Sequence, residues 1–118
     1  MPEVHAITKN IRMSAQKMRE VVRQIQGLPA QQAHDILQVV PRKGARFVAK
    51  TLKSAMANAE DLKAHKEEYR SMNIEALRVK EAVAQTATTL KRFTPKARGS
   101  AGPILKRNCH VKIVLTDE

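Results

Sequence analysis

A chain of 118 residues has the size of one domain, and its formal net charge of +11 predicts a polyanionic partner. With one Tyr, two Phe and no Trp, it is poorly suited to stacking several bases on a sheet. Its single cysteine excludes an internal disulfide and fits a reducing compartment, and no apolar run has the length that spans a membrane. No membrane partner is therefore expected.

The positive charge is concentrated in the last third of the chain. Residues 82–116 contain seven basic residues and no Asp or Glu. Residues 1–81 contain 15 basic and nine acidic residues, a net charge of +6. Because clustered cations displace counterions from phosphate groups, segment 82–116 predicts the main contact with a polyanion.

The first two elements follow from apolar spacing. Residues 4–13 predict a strand with Ile7 and Ile11 on one apolar face. Ser14 then stands at the N-cap position of a helix, and Gly27 stands where that helix ends. The predicted apolar stripe of this helix consists of Met18, Val21, Val22 and Ile25.

Two further helices are predicted between residues 29 and 61. Pro29 suits the first turn of a second helix, and Pro41 ends it. A third helix, rich in small residues that allow close packing, runs from about Arg42 to Asp61 or beyond. The acidic and polar segment 60–75 is predicted to be the helix end plus a solvent-facing connection.

Apolar and polar residues alternate in segments 74–86 and 110–115, which predicts two strands that are far apart in sequence. At roughly 3.3 Å per residue, the 14 to 18 residues on each side reach about 45–60 Å. A compact body of about 80 residues has a radius of gyration of only about 12 Å. The interpretation is an extended hairpin arm (about 82–109) on a globular platform (1–81 and 110–118), together one domain. The predicted fold class is α+β, with three helices packed on a small antiparallel sheet and a long protruding β-hairpin.

Separate segments of the chain resemble one known family. LKRFTPKARG from Leu90 and SAGPILKRNCHVKIVL from Ser100 resemble the hairpin of the universal ribosomal protein twenty-two of the large subunit, in its bacterial form. RMSAQKMREV from Arg12 resembles the signature of that family's first helix. KSAMANAE from Lys53 resembles the signature of its long third helix.

The resemblance implies a structural constituent of the large ribosomal subunit that binds rRNA and acts early in subunit assembly. The hairpin would pass inward through rRNA, near the macrolide site. Its tip would line the nascent-peptide exit tunnel, with the residues Arg98, Gly99, Ser100, Ala101 and Gly102. The implied partners are rRNA, neighbouring ribosomal proteins and the nascent peptide. The expected location is the cytoplasmic ribosome, with a mature organellar ribosome as the alternative.

The chain departs from the family pattern in four places, one of which is Cys109, where a hydroxyl residue is common just before His110. Ala87 and Thr88 stand where Gly-Pro is usual, just before the Thr-Leu-Lys-Arg run. Lys96 and Ser100 stand where Arg is common. Segment 61–74 is longer and more charged than the usual short connection, which affects where the third helix is expected to end.

The candidate rRNA contacts fall into two groups, since Arg grips phosphate with two donors or stacks on a base and Lys acts as a point charge. On the arm they are Lys91, Arg92, Lys96, Arg98, Lys106 and Arg107. In the N-terminal signature they are Arg12, Lys17 and Arg19. Weaker candidates outside both groups are Lys9, Arg42, Lys43, Arg46 and Lys50. Phe93 is left open between stacking on a base and packing on the opposing strand.

The sequence gives less support to other classes of function. A basic helical DNA-binding module, with the second and third helices as a helix-turn-helix around Pro41, is the alternative. The length of the third helix and the position of the charge argue against it. His110 adjoins Cys109, but the other histidines are scattered without zinc-site spacing, and no catalytic constellation stands out. No enzyme activity, cofactor, metal or homo-oligomer is expected.

Overall fold

The computed structural model describes residues 3–117 and arranges them as an α+β fold, which confirms the predicted class. The strands and helices are β1 (Glu3–Ile11), α1 (Ala15–Val22), α2 (Ala30–Val39), α3 (Lys43–His65), β2 (Arg78–Thr86), β3 (Leu90–Pro95), β4 (Ala101–Lys106) and β5 (Cys109–Thr116). Short 3₁₀ turns lie at Glu67–Tyr69, Ile74–Ala76 and Ala97–Gly99. Within this part of the chain, no helix is long and apolar enough to cross a membrane.

The platform sheet has β5 at its centre, with β1 and β2 antiparallel on either side. Ile113 lies opposite Ala6 on one neighbour and Ala82 on the other. Val111, Ile113 and Leu115 are fully buried, as their alternation predicts. The last strand of the chain therefore joins both of its neighbours and supplies the middle of the core.

Helix α3 covers this sheet with small and medium side chains. Val48, Leu52 and Ala55 are completely buried, and the helix packs against β1, β5, α1 and α2. Its one buried polar side chain in this layer, Thr51, has partners for its hydroxyl. The Oγ1 atoms of Thr51 and Thr8 lie 2.6 Å apart, and Thr51 also bonds the Phe47 carbonyl at 2.9 Å. The Thr51 hydroxyl is therefore buried in the core with hydrogen-bond partners.

The prediction for β1 was wrong at Ile7, which is 47% exposed. The buried face consists instead of Val4 and Ala6, and it regains Ile11 after an irregularity in the pairing with β5. Asn10 adopts a left-handed φ of 57° at that point, which is typical of a bulge. One extra residue shifts the two-residue alternation, so that Ile7 and Ile11 point to opposite faces.

The connection after α3 is less solvent-facing than predicted. The helix continues to His65, and the following segment buries Met72 completely and Leu77 almost completely. The residues Ile74–Ala76 form a 3₁₀ turn, so the strand predicted from residue 74 begins only at Arg78. A single buried apolar residue among charged ones, such as Met72, gives no periodic signal. This explains why the sequence did not predict that the connection packs on the core.

The arm is a separate two-stranded ribbon, β3 paired with β4, that continues from the platform hairpin. Pairing of β2 with β5 ends at Thr86 and Cys109, and ribbon pairing begins at Leu90 and Lys106. The chain measures 67 Å along its longest axis against 28 and 17 Å across it, as a protruding hairpin requires.

The tip of the ribbon is a tight turn. The Lys96 amide donates to the Ser100 carbonyl at 2.7 Å, and Arg98 and Gly99 have left-handed φ angles of 59° and 75°. Glycine adopts such angles without strain. The turn predicted at residues 98–102 therefore lies at 96–100. Ala101 and Gly102 already belong to β4, where they pair with Pro95 and Thr94 of β3.

The arm contributes no buried apolar side chain between Ala84 and Cys109, so the platform is expected to fold without it. Ala87 donates to the Asn108 carbonyl at 3.0 Å, and a two-residue Asn-Gly turn in place of residues 88–107 would close the hairpin there. We expect this variant to keep its free energy of unfolding within about 1 kcal/mol of the parent. Urea titration followed by circular dichroism measures this.

The matched control is Leu52→Ala, which truncates a completely buried side chain and should cost about 2–5 kcal/mol. Loss of cooperative unfolding in the armless variant would contradict an independent platform.

Candidate RNA-binding surface

Two of the sequence-predicted contacts from opposite ends of the chain meet where the arm joins the platform. Arg12 follows β1, and its Nη1 donates to the carbonyl of Arg107 at 2.7 Å. Arg107 lies in the break between β4 and β5. The platform thus holds the base of the arm through a guanidinium that retains other N–H donors for a ligand.

A cleft of about 530 Å³ opens at this joint. Its basic lining consists of Arg12, Lys17, Arg42, Lys43 and Arg107. Among residues 3–117, no carboxylate lines it, and Leu105 and Pro41 form its apolar wall. Five cations around one concave surface produce a positive potential that favours a polyanion.

The starts of two helices add to this potential. Ser14, the N-cap of α1, and Arg42, the N-cap of α3, both line the cleft. Neither helix has an acidic residue in its first turn, and neither N-cap side chain accepts a capping hydrogen bond, although Ser14 has the extended backbone of a cap. The positive ends of both helix dipoles are therefore left without a negative group of their own.

Glu20, which pairs with Arg42, does little to neutralise the cleft. Glu20 Oε2 lies 2.9 Å from Arg42 Nη1, and both side chains are more than half exposed. Such a solvated pair contributes about 0–1 kcal/mol. Arg42 therefore remains available for a phosphate ligand that offers it a better geometry.

Arg19 has a structural contact as well as a predicted binding role. Its Nε donates to the Ala84 carbonyl at 3.1 Å, and the nearby Gln26 Nε2 donates to the Ala82 carbonyl at 2.8 Å. The Arg19 bond ties α1 to β2, and the Gln26 bond ties the turn after α1 to the same strand. Arg19 also lines a second, smaller cleft of about 310 Å³ with Arg107 and Asn108. Its charge is thus presented next to the first cleft.

The basic residues of the ribbon lie on both of its faces. Residues directly opposite in an antiparallel pair point to the same side. Arg92, opposite Ile104, shares a face with Lys106, opposite Leu90. Lys91 lies on the other face, opposite Leu105. A ribbon with cations on both sides is suited to RNA that surrounds it.

Lys96 and Arg98 are not part of the joint; they lie at the turn, at the far end of the ribbon. The Lys96 side chain crosses Gly102, where an added Cβ would lie 2.8 Å from Lys96 Cε. The structure therefore divides the predicted contacts into a joint cluster, a ribbon and a tip.

Arg42 and Lys43 were weak candidates in the sequence and prove to line the joint cleft. Their proximity to Arg12 depends on α1 and α3 starting at the same place, which local spacing does not show. Lys9, Arg46 and Lys50 are exposed and do not line either cleft at the joint.

The residues at the start of β5 have structural roles. His110 Nδ1 accepts a hydrogen bond from the Asn10 amide at 3.0 Å, which ties β1 to the base of the arm. Burial of Cys109 raises the pKa of its thiol. Among residues 3–117, no group of three or more His, Cys, Asp or Glu side chains is arranged to hold a metal ion.

An α+β platform with a basic joint and an acid-free ribbon is typical of a protein that binds folded RNA. A model of the family described as ribosomal protein L22p/L17e matches residues 6–116. The large ribosomal subunit protein uL22 of Opitutus terrae is 48% identical over 115 residues, covering 98% of this chain and 96% of that protein. Its namesake from Akkermansia muciniphila is 44% identical over 116 residues, covering 98% and 97%.

The chain therefore belongs to the ribosomal protein L22p/L17e family, which is not an enzyme family. The resemblance drawn from separate segments is confirmed over nearly the whole length.

Replacing Arg12 by Gln should loosen the joint, because it removes the bond to the Arg107 carbonyl. A net value of about 0.5–1.5 kcal/mol per hydrogen bond corresponds to about 2- to 12-fold faster amide exchange at Ala87, which donates to Asn108 across the joint. Hydrogen exchange by NMR measures this, with the Ile113 amide unchanged.

Arg46→Gln, on the exposed surface of α3, is the control and should leave both amides unaffected. Equal exchange rates at Ala87 in the two variants would show that Arg12 does not hold the joint.

The raised pKa of Cys109 predicts slow reaction of its thiol. Only the thiolate is nucleophilic, so at pH 8 a water-soluble aromatic disulfide should react at least about tenfold faster with urea-unfolded chain than with native chain. The native rate should also keep rising at alkaline pH values where the unfolded rate has levelled off. Equal rates would mean that the base of the arm opens freely.

Proposed function

We propose that this chain is a structural constituent of the large ribosomal subunit that binds its rRNA. The observation that carries the proposal is the family match over residues 6–116, which includes the acid-free arm. Relatives matched over nearly their full length are named as large-subunit proteins, and the basic joint and ribbon supply the chemistry for an RNA partner. Neighbouring ribosomal proteins are the other partners.

Recognition of rRNA is electrostatic and shape-based. Lys and Arg at the joint and along the ribbon contact phosphate oxygens, which set position and orientation without reading sequence. The deep, narrow major groove of RNA helices admits no side-chain readout, so the fold of the RNA decides where the ribbon fits.

The joint and the ribbon have different tasks in this mechanism. The joint cleft, held by Arg12 and the starts of α1 and α3, binds phosphates beside a preformed platform. The ribbon has no second layer to bury its side chains, and an isolated two-stranded hairpin is marginal in water. Contacts with surrounding RNA supply the stabilisation that a second layer would otherwise give.

We propose in addition that the tip residues Arg98, Gly99, Ser100, Ala101 and Gly102 line the nascent-peptide exit tunnel, and that binding contributes to early subunit assembly. The support is the resemblance of LKRFTPKARG to the family hairpin, and the position of the turn at the far end of the ribbon. The nascent peptide would then pass Arg98 and Ser100. The cytoplasmic ribosome is the proposed location, and a mature organellar ribosome is the alternative.

The DNA-binding alternative receives no support. Helix α3, its proposed recognition helix, buries Val48, Leu52 and Ala55 against the sheet. The larger cleft at the joint reaches only the start of that helix, at Arg42 and Lys43, and no residue of the helix lines the smaller one.

The salt dependence of binding tests the electrostatic mechanism. With about six phosphate contacts, log K for protein-free large-subunit rRNA should fall by about five units per decade of salt. The variant with Asn-Gly in place of residues 88–107 lacks the six arm cations and should have a much smaller slope. Filter binding from 50 mM to 500 mM salt, roughly one decade, measures both.

A matched pair sharpens this test. Lys91→Gln should reduce the slope by about 1, whereas Lys66→Gln, in the acid-rich segment after α3, should leave it unchanged. A flat salt response of the parent, or equal binding to duplex DNA, would overturn the proposal.

A further inference from the structure

Phe93 is exposed in a way that the other aromatic residues are not. Phe47 and Tyr69 are partly buried and pack against the core. Phe93 lies in the middle of β3 and is 75% exposed. A large apolar ring in water is unfavourable, since burying it is one of the main sources of stability in folded chains. Its exposure indicates that the ring packs against something other than its own chain.

The ribbon has no means of covering this ring. Directly opposite Phe93 stands Pro103, and the next pair on the same face is Lys91 with Leu105. A ring that packed across the ribbon would lose most of its exposure, so packing on the opposing strand is contradicted by the 75% exposure. Of the two interpretations of Phe93, stacking on a base is the one that remains.

The charges around Phe93 define what can cover it. Lys91 lies two residues away on the same face, Arg92 is adjacent, and residues 82–116 contain no carboxylate. The occupant must therefore offer a flat apolar surface next to negative charge. A nucleobase attached to its phosphate has both properties, whereas an apolar protein surface has only the first.

We propose that Phe93 is a base-stacking residue, which takes an unpaired base of rRNA onto its ring while Lys91 contacts a neighbouring phosphate. This inference rests on the proposed rRNA binding and adds a non-ionic contact to it. Stacking releases no counterions, so it raises affinity equally at every salt concentration. Phe93 thus contributes to the salt-independent part of the affinity, and Lys91 contributes to the salt-dependent part.

The distinction gives the experiment its readout. Loss of a stacked base costs about 1–3 kcal/mol, so Phe93→Ala should weaken binding to protein-free large-subunit rRNA by about 5- to 150-fold with an unchanged salt slope. Phe93→Leu keeps apolar bulk without a π-face and should lose most of that affinity. Phe93→Tyr keeps the ring and should stay within about threefold of the parent.

Val39→Ala is the matched control, because Val39 is an aliphatic side chain of similar exposure, 78%, on α2. It should change affinity by less than about twofold. A direct readout is ultraviolet cross-linking, which should attach a nucleotide to the peptide that contains Phe93. Phe93 is exposed and outside the core, so these substitutions leave the platform folded.

The inference is overturned if Phe93→Leu binds as tightly as Phe93→Tyr, or if no adduct forms at this peptide while adducts form elsewhere. Such a result, together with a steep salt slope, leaves rRNA binding intact and removes only the stacking contact. A flat salt slope of the parent protein removes the proposed function itself.

Discussion

Strand β5 is the element on which the rest of the molecule depends. It pairs with β1 on one side and β2 on the other, and it buries Val111, Ile113 and Leu115 under the helices. Its N-terminal end is also the base of the arm. The direction in which the ribbon leaves the platform is therefore set by the same strand that centres the core, and any shift of its register would move both.

The chain separates its apolar and its charged residues between two structures. The platform collects the buried side chains, including the small residues that let α3 lie close to the sheet. The ribbon collects cations and leaves Phe93, Leu90 and Leu105 exposed. A two-stranded ribbon cannot build a core of its own, so residues that would be a liability on a free surface are suited to an element that RNA surrounds.

The alternation of β5, the stripe of α3 and the acid-free arm were predictable, because each depends on spacing or composition within one segment. Three features were not. The left-handed Asn10 inverts the faces of β1, and Met72 anchors a charged connection. Arg12 and Arg42 line one cleft beside the starts of α1 and α3. Each depends on a bulge, a single contact or a long-range approach, which leave no periodic mark. The candidate binding residues were found largely from charge and resemblance, whereas their grouping at the joint needed the fold.

At the base and the tip of the arm, the expected departures from the family pattern lie where backbone atoms make most of the bonds that hold the joint and the turn. Ala87 donates its amide to Asn108, and the Thr88 carbonyl accepts from Asn108 Nδ2 at 2.9 Å. Gly and Pro at these two positions would keep the same amide and the same carbonyl. At the tip, the bond from the Lys96 amide to the Ser100 carbonyl involves neither side chain. Replacing Arg by Lys or Ser there changes the charge and reach presented to a ligand while the turn keeps its shape. The scaffold of the arm is therefore insensitive to these positions, and they remain free to adjust what the tip contacts.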